Sequence, residues 1–258
     1  MPYELLAQYL RLPVFLMVAA RLAGMFLFQP ILGALAIPTR LRLLLVLGLA
    51  ALTVPFVEPA ETTPDTPLGL LLALASETLL GLLIGMVVTV CFVGVQMGGT
   101  LVAQNSGLAF GQIADPTTGQ NLTVLSAFYL QLSVVVYLVV GGHRILLQAC
   151  LDTFDTLPLL GEVNLSDLGY RILVEALAVG GVVAIRVAAP AVLTLFLVNL
   201  ALGFISRTVP QLNIATVGFS LKSLVGFMVM MIALPSAMAA FTDALDMSFD
   251  WLRQLVGG

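Results

Sequence analysis

His143 is the only histidine in the chain. A metal site built from several imidazoles is therefore excluded, and a Ser-His-Asp triad would have to recruit the single stretch Gly142-His143-Arg144. Asp152 and Asp155 stand about one helical turn apart ahead of Pro158, a spacing open to paired carboxylates or a cation site. The plainer reading is the solvated end of a helix. Cys91 lies inside an apolar run and Cys150 at the end of another, so each reads as a small packing residue rather than half of a disulfide or metal site. Glycine-rich phosphate loops are absent, and no metal, nucleotide or other cofactor is expected.

The remaining chemistry is electrostatic. Arg21, Glu77, Arg186 and Lys222 sit deep in apolar runs, where a charge costs several kcal/mol unless it is paired or hydrated. Glu77 can neutralise only one of the three cations. The excess must be met by carbonyls, water or carboxylates of partner subunits, so the four are expected at subunit interfaces; the alternative for Arg21 and Lys222 is snorkelling to a membrane surface. Residues 96–121, QMGGTLVAQNSGLAFGQIADPTTGQN, form a second anomaly, rich in amides and glycines and devoid of Lys and Arg. Uncharged polar backbone in so oily a chain predicts a segment buried in protein or facing a water-filled cavity, as a pore or gate element would be. Gly98-Gly99 at its entry predicts a kink or chain reversal, a hinge. Gly107 and Gly111 loosen the backbone, Phe110 and Ile113 supply bulk, and Gln104, Asn105, Gln112 and Gln120 can satisfy the loop's backbone without attracting charge. The plain alternative is an ordered turn between two helices.

The elements that must carry these residues are apolar helices. Hydrophobic residues make up 60% of the chain, charged residues 9%, and mean hydropathy is +1.11, against about 45–50% apolar and about 25% charged in soluble domains. An all-α membrane protein in contact with lipid follows. A net charge of −4 with scattered basic residues excludes nucleic acid as a partner. The apolar runs are 12–32, 43–57, 68–95, 122–142, 172–206 and 214–241; a spanning helix needs about 20 residues, so most qualify and the second is marginal. About six hydrophobic helices arranged as hairpins are predicted, with turns at Pro30 to Pro38, Pro55 to Pro67 and Asp152 to Asp167. Arg40, Arg42 and Arg207 mark cytoplasmic turns and the acidic stretches the opposite side, giving an N-outside, six-pass topology. The N-terminus places Glu4 before its first basic residue, lacks the basic n-region of a cleaved signal and is expected to begin the mature chain. Gly81 with Gly85, and Gly94 with Gly98, have the small-xxx-small spacing of close helix contact, read as ordinary packing ahead of a dimer motif.

Four strings, in order along nearly the whole chain, carry a family resemblance. They are GLAFGQIADP at 107–116, followed by Asn121 and the apolar 122–125; GGH at 141–143; DTFDTLP at 152–158; and NLALGFISRTVPQLNI at 199–214. Together they resemble the FliR family of flagellar export-gate proteins, called SctT in the injectisomes of type III secretion. The resemblance implies a non-enzymatic subunit that assembles with FliP and FliQ, in association with FlhB and FlhA, in the flagellar basal body of the bacterial inner membrane. Unfolded flagellar subunits would be exported through that complex.

Further expectations come from the resemblance alone. One integral membrane domain, 1–258, would comprise a FliP-like part over approximately 1–165, with a plug loop at 104–121, and a FliQ-like hairpin over approximately 166–258. Gly107, Leu108, Ala109, Phe110, Gly111, Gln112, Ile113, Ala114, Asp115 and Pro116 would plug the closed lumen. Arg207, Pro210, Gln211 and Asn213 would form the FliQ-like turn, toward the cytoplasmic entrance. Family helices are strongly kinked, so the six runs need not be six simple spans, and neighbouring subunits would cover their oily faces and house Arg21, Arg186 and Lys222. The alternatives are the equivalent subunit of a virulence injectisome or a secondary transporter, which should work without FliP and FliQ.

Overall fold

The computed structural model of the chain describes residues 12–29, 38–57, 66–111, 113–114, 121–161, 165–208 and 214–257. Seven α-helices occur among them: α1 (Leu12–Phe28), α2 (Thr39–Thr53), α3 (Pro67–Ser106), α4 (Val124–Val140), α5 (Gly142–Thr156), α6 (Leu165–Thr208) and α7 (Ile214–Gly257). A short 3-10 turn at Leu108–Gly111 follows α3, and β1 (Ile113–Ala114) pairs antiparallel with β2 (Asn121–Leu122). Nearly all of the described residues are helical, as the hydropathy pattern predicts.

Local chemistry sets the helix ends. Pro38 fixes the entry to α2 and its carbonyl accepts the Leu41 amide at 2.9 Å. At the start of α3 the Thr66 hydroxyl accepts the Gly69 amide at 3.1 Å, an N-terminal cap. Gly107, at φ +78°, ends α3, and Gly141, at φ +77°, separates α4 from α5; only glycine enters that left-handed region without steric cost. In α6 Asp167 occupies the first turn and Arg207 the last, each complementing the helix dipole. Pro190 lies inside α6 and Pro235 inside α7, each removing one backbone hydrogen bond and placing a kink.

The six-pass expectation changes in detail. Thr39–Phe56 and the bodies of α3, α6 and α7 are long and apolar enough to cross a membrane, and α4 with α5 makes a fifth span if the broken pair counts as one. Leu12–Phe28, at 17 residues, is a shorter apolar helix. Among the described residues, four or five helical stretches rather than six are candidate spans by length and composition. Hydropathy located the runs but missed that three of them continue into helices of 40 to 44 residues. The less apolar ends propagate because extending a formed helix adds a hydrogen bond for each residue fixed.

The chain divides into two compact units, one drawn from Met1–Val90, Gly141–Leu177 and Asp246–Gly258, the other from Cys91–Val140 and Ala178–Leu245. In the first, α1 and α3 meet backbone to backbone. A Cβ on Gly81 would land on the Arg21 carbonyl, one on Gly85 on that of Met25, and one on Gly24 on that of Thr78. In the second, Phe92 packs edge-on against Tyr137 and Phe241, with centroids 5.4 and 5.0 Å away. Gly94 faces the Gly180 carbonyl of α6, and Gly98 faces Val187. Both glycine pairs thus serve packing within the chain.

Candidate functional site

Arg21 and Glu77 close on each other. Neither is more than 2% exposed, and the Arg21 Nε donates to Glu77 Oε2 at 2.6 Å. The rest of the guanidinium donates to the Thr153 carbonyl at 3.1 Å, the Thr153 hydroxyl at 3.0 Å and the Leu157 carbonyl at 3.0 Å, with its carbon 4.4 Å from the Phe154 ring centroid. These carbonyls belong to the last turn of α5, where unpaired C=O groups and the helix dipole favour a cation. Arg21 thereby joins α1, α3 and α5 of the first unit. The expectation that Arg21 and Glu77 lie at subunit interfaces is corrected, as is snorkelling for Arg21: the chain itself supplies the counter-charge and the acceptors.

The other two cations differ. Arg186, on α6, leaves 55% of its side chain exposed and has the Asp243 carboxylate of α7 at 3.7 Å. Lys222 is half-buried on α7, beside a polar hollow lined by Asn199 and Ser206 of α6. Cys91 and Cys150 are buried and form no disulfide, and the Cys91 thiol faces the Ala244 carbonyl at 3.9 Å. Asp152 and Asp155 are exposed near the end of α5. No group of three His, Cys, Asp or Glu residues that could hold a metal occurs among the described residues.

The segment without Lys or Arg has a defined base in the second unit. The helix expected to break at Gly98-Gly99 runs unbroken to Ser106, because both glycines are packed: a Cβ at Gly98 would come within 2.7 Å of Val187, and one at Gly99 within 2.9 Å of Ser126. The chain leaves the helix at Gly107 instead. Just before it, Ser106 is fully buried, its carbonyl accepts the Ser223 hydroxyl at 3.1 Å, and a Cβ on Gly226 would come 2.6 Å from its own Cβ. Leu108, Ala109, Phe110 and Gly111 form the 3-10 turn, and Ile113 and Ala114 pair with Leu122 and Asn121. On the return side Thr123 caps α4: its hydroxyl accepts the Ser126 amide at 3.1 Å and donates to the Ser126 hydroxyl at 2.9 Å.

The result is a loop on a stiff pedestal. Both stems are held, at Ser106 and at Thr123, and Ala114 pairs with Asn121 across the six residues 115–120 that separate them. Gln112, Asp115, Pro116 and Gln120 lie outside the described residues, as do Pro210, Gln211 and Asn213 of the expected turn after α6; Arg207 is exposed in that helix's last turn. Sequence reasoning missed the pinning residues. Thr123, a hydroxyl directly ahead of an apolar run, was legible as a cap, whereas nothing local marks Ser106, Ser223 and Gly226 as neighbours.

Comparison with known proteins agrees with this architecture. The family described as bacterial export proteins, family 1, matches residues 12–248. The chain is 31% identical over 242 residues to the flagellar biosynthetic protein FliR of Pectobacterium carotovorum subsp. carotovorum, covering 91% of each chain. It is 30% identical over 218 residues to FliR of Escherichia coli (strain K12), covering 83% of this chain and 82% of that one. The surface presentation of antigens protein SpaR of Shigella flexneri matches at 24% identity over 214 residues, 82% of this chain and 81% of its own. With that match and relatives of 30–31% identity along more than four fifths of each chain, the chain belongs to the bacterial export proteins, family 1, and is a membrane-embedded component of the type III export apparatus.

Proposed function

We propose that the chain is the FliR subunit of a flagellar export gate in the bacterial inner membrane, at the basal body. It assembles there with FliP and FliQ, beside FlhB and FlhA, and its segment 104–121 plugs the lumen until an unfolded flagellar subunit arrives. The flagellar branch is favoured because both relatives at 30% identity or more carry that name, while SpaR stands at 24%. The division into a FliP-like part before residue 165 and a FliQ-like hairpin after it belongs to the same reading, as does the Arg207 turn at the cytoplasmic entrance.

One observation carries the plug. A stretch without Lys or Arg leaves the membrane domain from a base fixed at Ser106 and Thr123. A loop with no cation and a single carboxylate, Asp115, is held in a lumen weakly enough for a passing polypeptide to displace it, while the pinned stems return it to the same place. Arg186, more than half exposed on α6, fits this picture as a contact to a neighbouring subunit. Gly98-Gly99 fits as a hinge only if another state of the gate parts their packing.

The test replaces residues 108–120 with a short Gly-Ser linker, leaving the Ser106 and Thr123 attachments intact, in cells carrying the full apparatus. Leakage of ions and small dyes across the membrane should rise severalfold while FliP and FliQ still co-purify. An unchanged, tight membrane with the complex intact would overturn the plug. Loss of co-purification in the unaltered chain would overturn the assembly.

A further inference from the structure

The second unit contains two adjoining hollows of opposite chemistry. A polar one of about 290 Å³ is lined by Asn199 and Ser206 of α6 and by Lys222 of α7. An apolar one of about 590 Å³ is lined by Leu108, Leu125, Phe128, Phe227 and Met230 among others, within the roughly 300–1,000 Å³ of cavities that enclose small organic ligands. Phe219 borders both. The arrangement is amphipathic from one end to the other.

Lys222 makes no ion pair among the described residues. The sequence offers it little choice: between Glu175 and Asp243 there are three cations, Arg186, Arg207 and Lys222, and no carboxylate. Arg186 already faces Asp243, whereas Arg207 stands at the end of α6 that leads into α7. Lys222 lies eight residues into α7, about 12 Å along its axis, and its flexible stem lets the ammonium reach the polar hollow. An apolar helix laid here would fill the apolar cavity but leave that ammonium without an anion. A basic pocket between membrane helices instead matches an anionic head group.

We propose that this cleft binds an anionic phospholipid, with its phosphate against Lys222, Asn199 and Ser206 and one acyl chain running past Phe219 into the apolar cavity. The amide of Asn199 adds a neutral donor to the single ammonium, while the Ser206 hydroxyl, which donates to the Gly203 carbonyl at 2.7 Å, would have to turn to add a second, so recognition is of the phosphate and of net negative charge. The acyl chain adds affinity without selectivity. The cavity shares Gly107 and Leu108 with the proposed plug, but its other walls and the polar hollow belong to α4, α6 and α7, so the site can be tested apart from the plug reading.

The test uses the purified full chain in detergent, titrated with dioleoylphosphatidylglycerol or dioleoylphosphatidylcholine and read by native mass spectrometry. The wild-type chain should prefer phosphatidylglycerol. Lys222→Gln should lower that preference about fivefold, from the contribution of one basic residue near a membrane surface, and Lys222→Arg should keep it. Met231→Trp, at the cavity wall, should weaken both lipids alike. A preference unchanged in Lys222→Gln would overturn the site. So would a photo-crosslinker at position 231 that, in the assembled complex, captures protein and no phospholipid.

Discussion

Arg21 makes four hydrogen bonds from α1 to two other helices, α3 and α5, and the consequence of losing its counter-ion is calculable in kind. With Glu77 changed to Ala the guanidinium stays buried without compensation, a change that costs about 3–5 kcal/mol for buried pairs. Replacing the whole pair, Arg21→Met with Glu77→Leu, removes both charges and should recover most of that loss. Recovery should be incomplete, because the Thr153 and Leu157 carbonyls at the end of α5 lose their donor. Thermal unfolding of the purified chain in detergent checks the order: wild type above the double variant, the double variant above Glu77→Ala. A Glu77→Ala chain as stable as wild type would show that the pair contributes nothing. The sequence placed Arg21 and Glu77 correctly as charges in apolar runs. It could not pair them, because their 56-residue separation and the third helix that completes the site are tertiary facts.

At the scale of elements, glycine decides how closely helices meet. Gly81 and Gly24 let α1 and α3 touch through backbone atoms, so Gly81→Ala forces the helices apart and should destabilise by about 1–3 kcal/mol, the cost of overpacking a fitted interface. Gly48, on α2, has open space where its Cβ would be, and Gly48→Ala should be neutral or stabilising by up to about 1 kcal/mol through helix propensity. Detergent-resistance assays on both variants separate the two cases; equal effects would refute the contact. The small-xxx-small spacing at 81 and 85 was legible in the sequence as helix contact, though not which helix it meets. Gly98-Gly99 shows the opposite limit. Propensity alone marks it as a weak point, but packing against Val187 and Ser126 keeps the helix continuous, and the break falls at Gly107, where the backbone takes a positive φ.

For the molecule as a whole, helix length is the informative quantity. At 44 residues each, α6 and α7 are about 66 Å long, more than twice the roughly 30 Å hydrocarbon thickness of a bilayer. They cannot lie wholly in lipid unless steeply inclined, and only 33% of each candidate span is buried within the chain. Leu193, Phe196, Leu197, Leu200 and Phe204 recur at helical spacing on α6 and are 47–70% exposed. Apolar surface that continuous, on a helix too long for the membrane, needs protein cover along part of its length. Composition alone announces a membrane protein but is silent on this, since hydropathy does not distinguish lipid from a neighbouring subunit as solvent. Photo-crosslinking residues introduced singly at Leu197 and Phe204 should therefore yield adducts with another subunit of the export apparatus in cells expressing the complete set. The same positions in the chain expressed without its partners should give none. Lipid-only adducts at both positions in the complete apparatus would mean that α6 faces the bilayer throughout, and its length would then have to be absorbed by tilt and by the kink at Pro190.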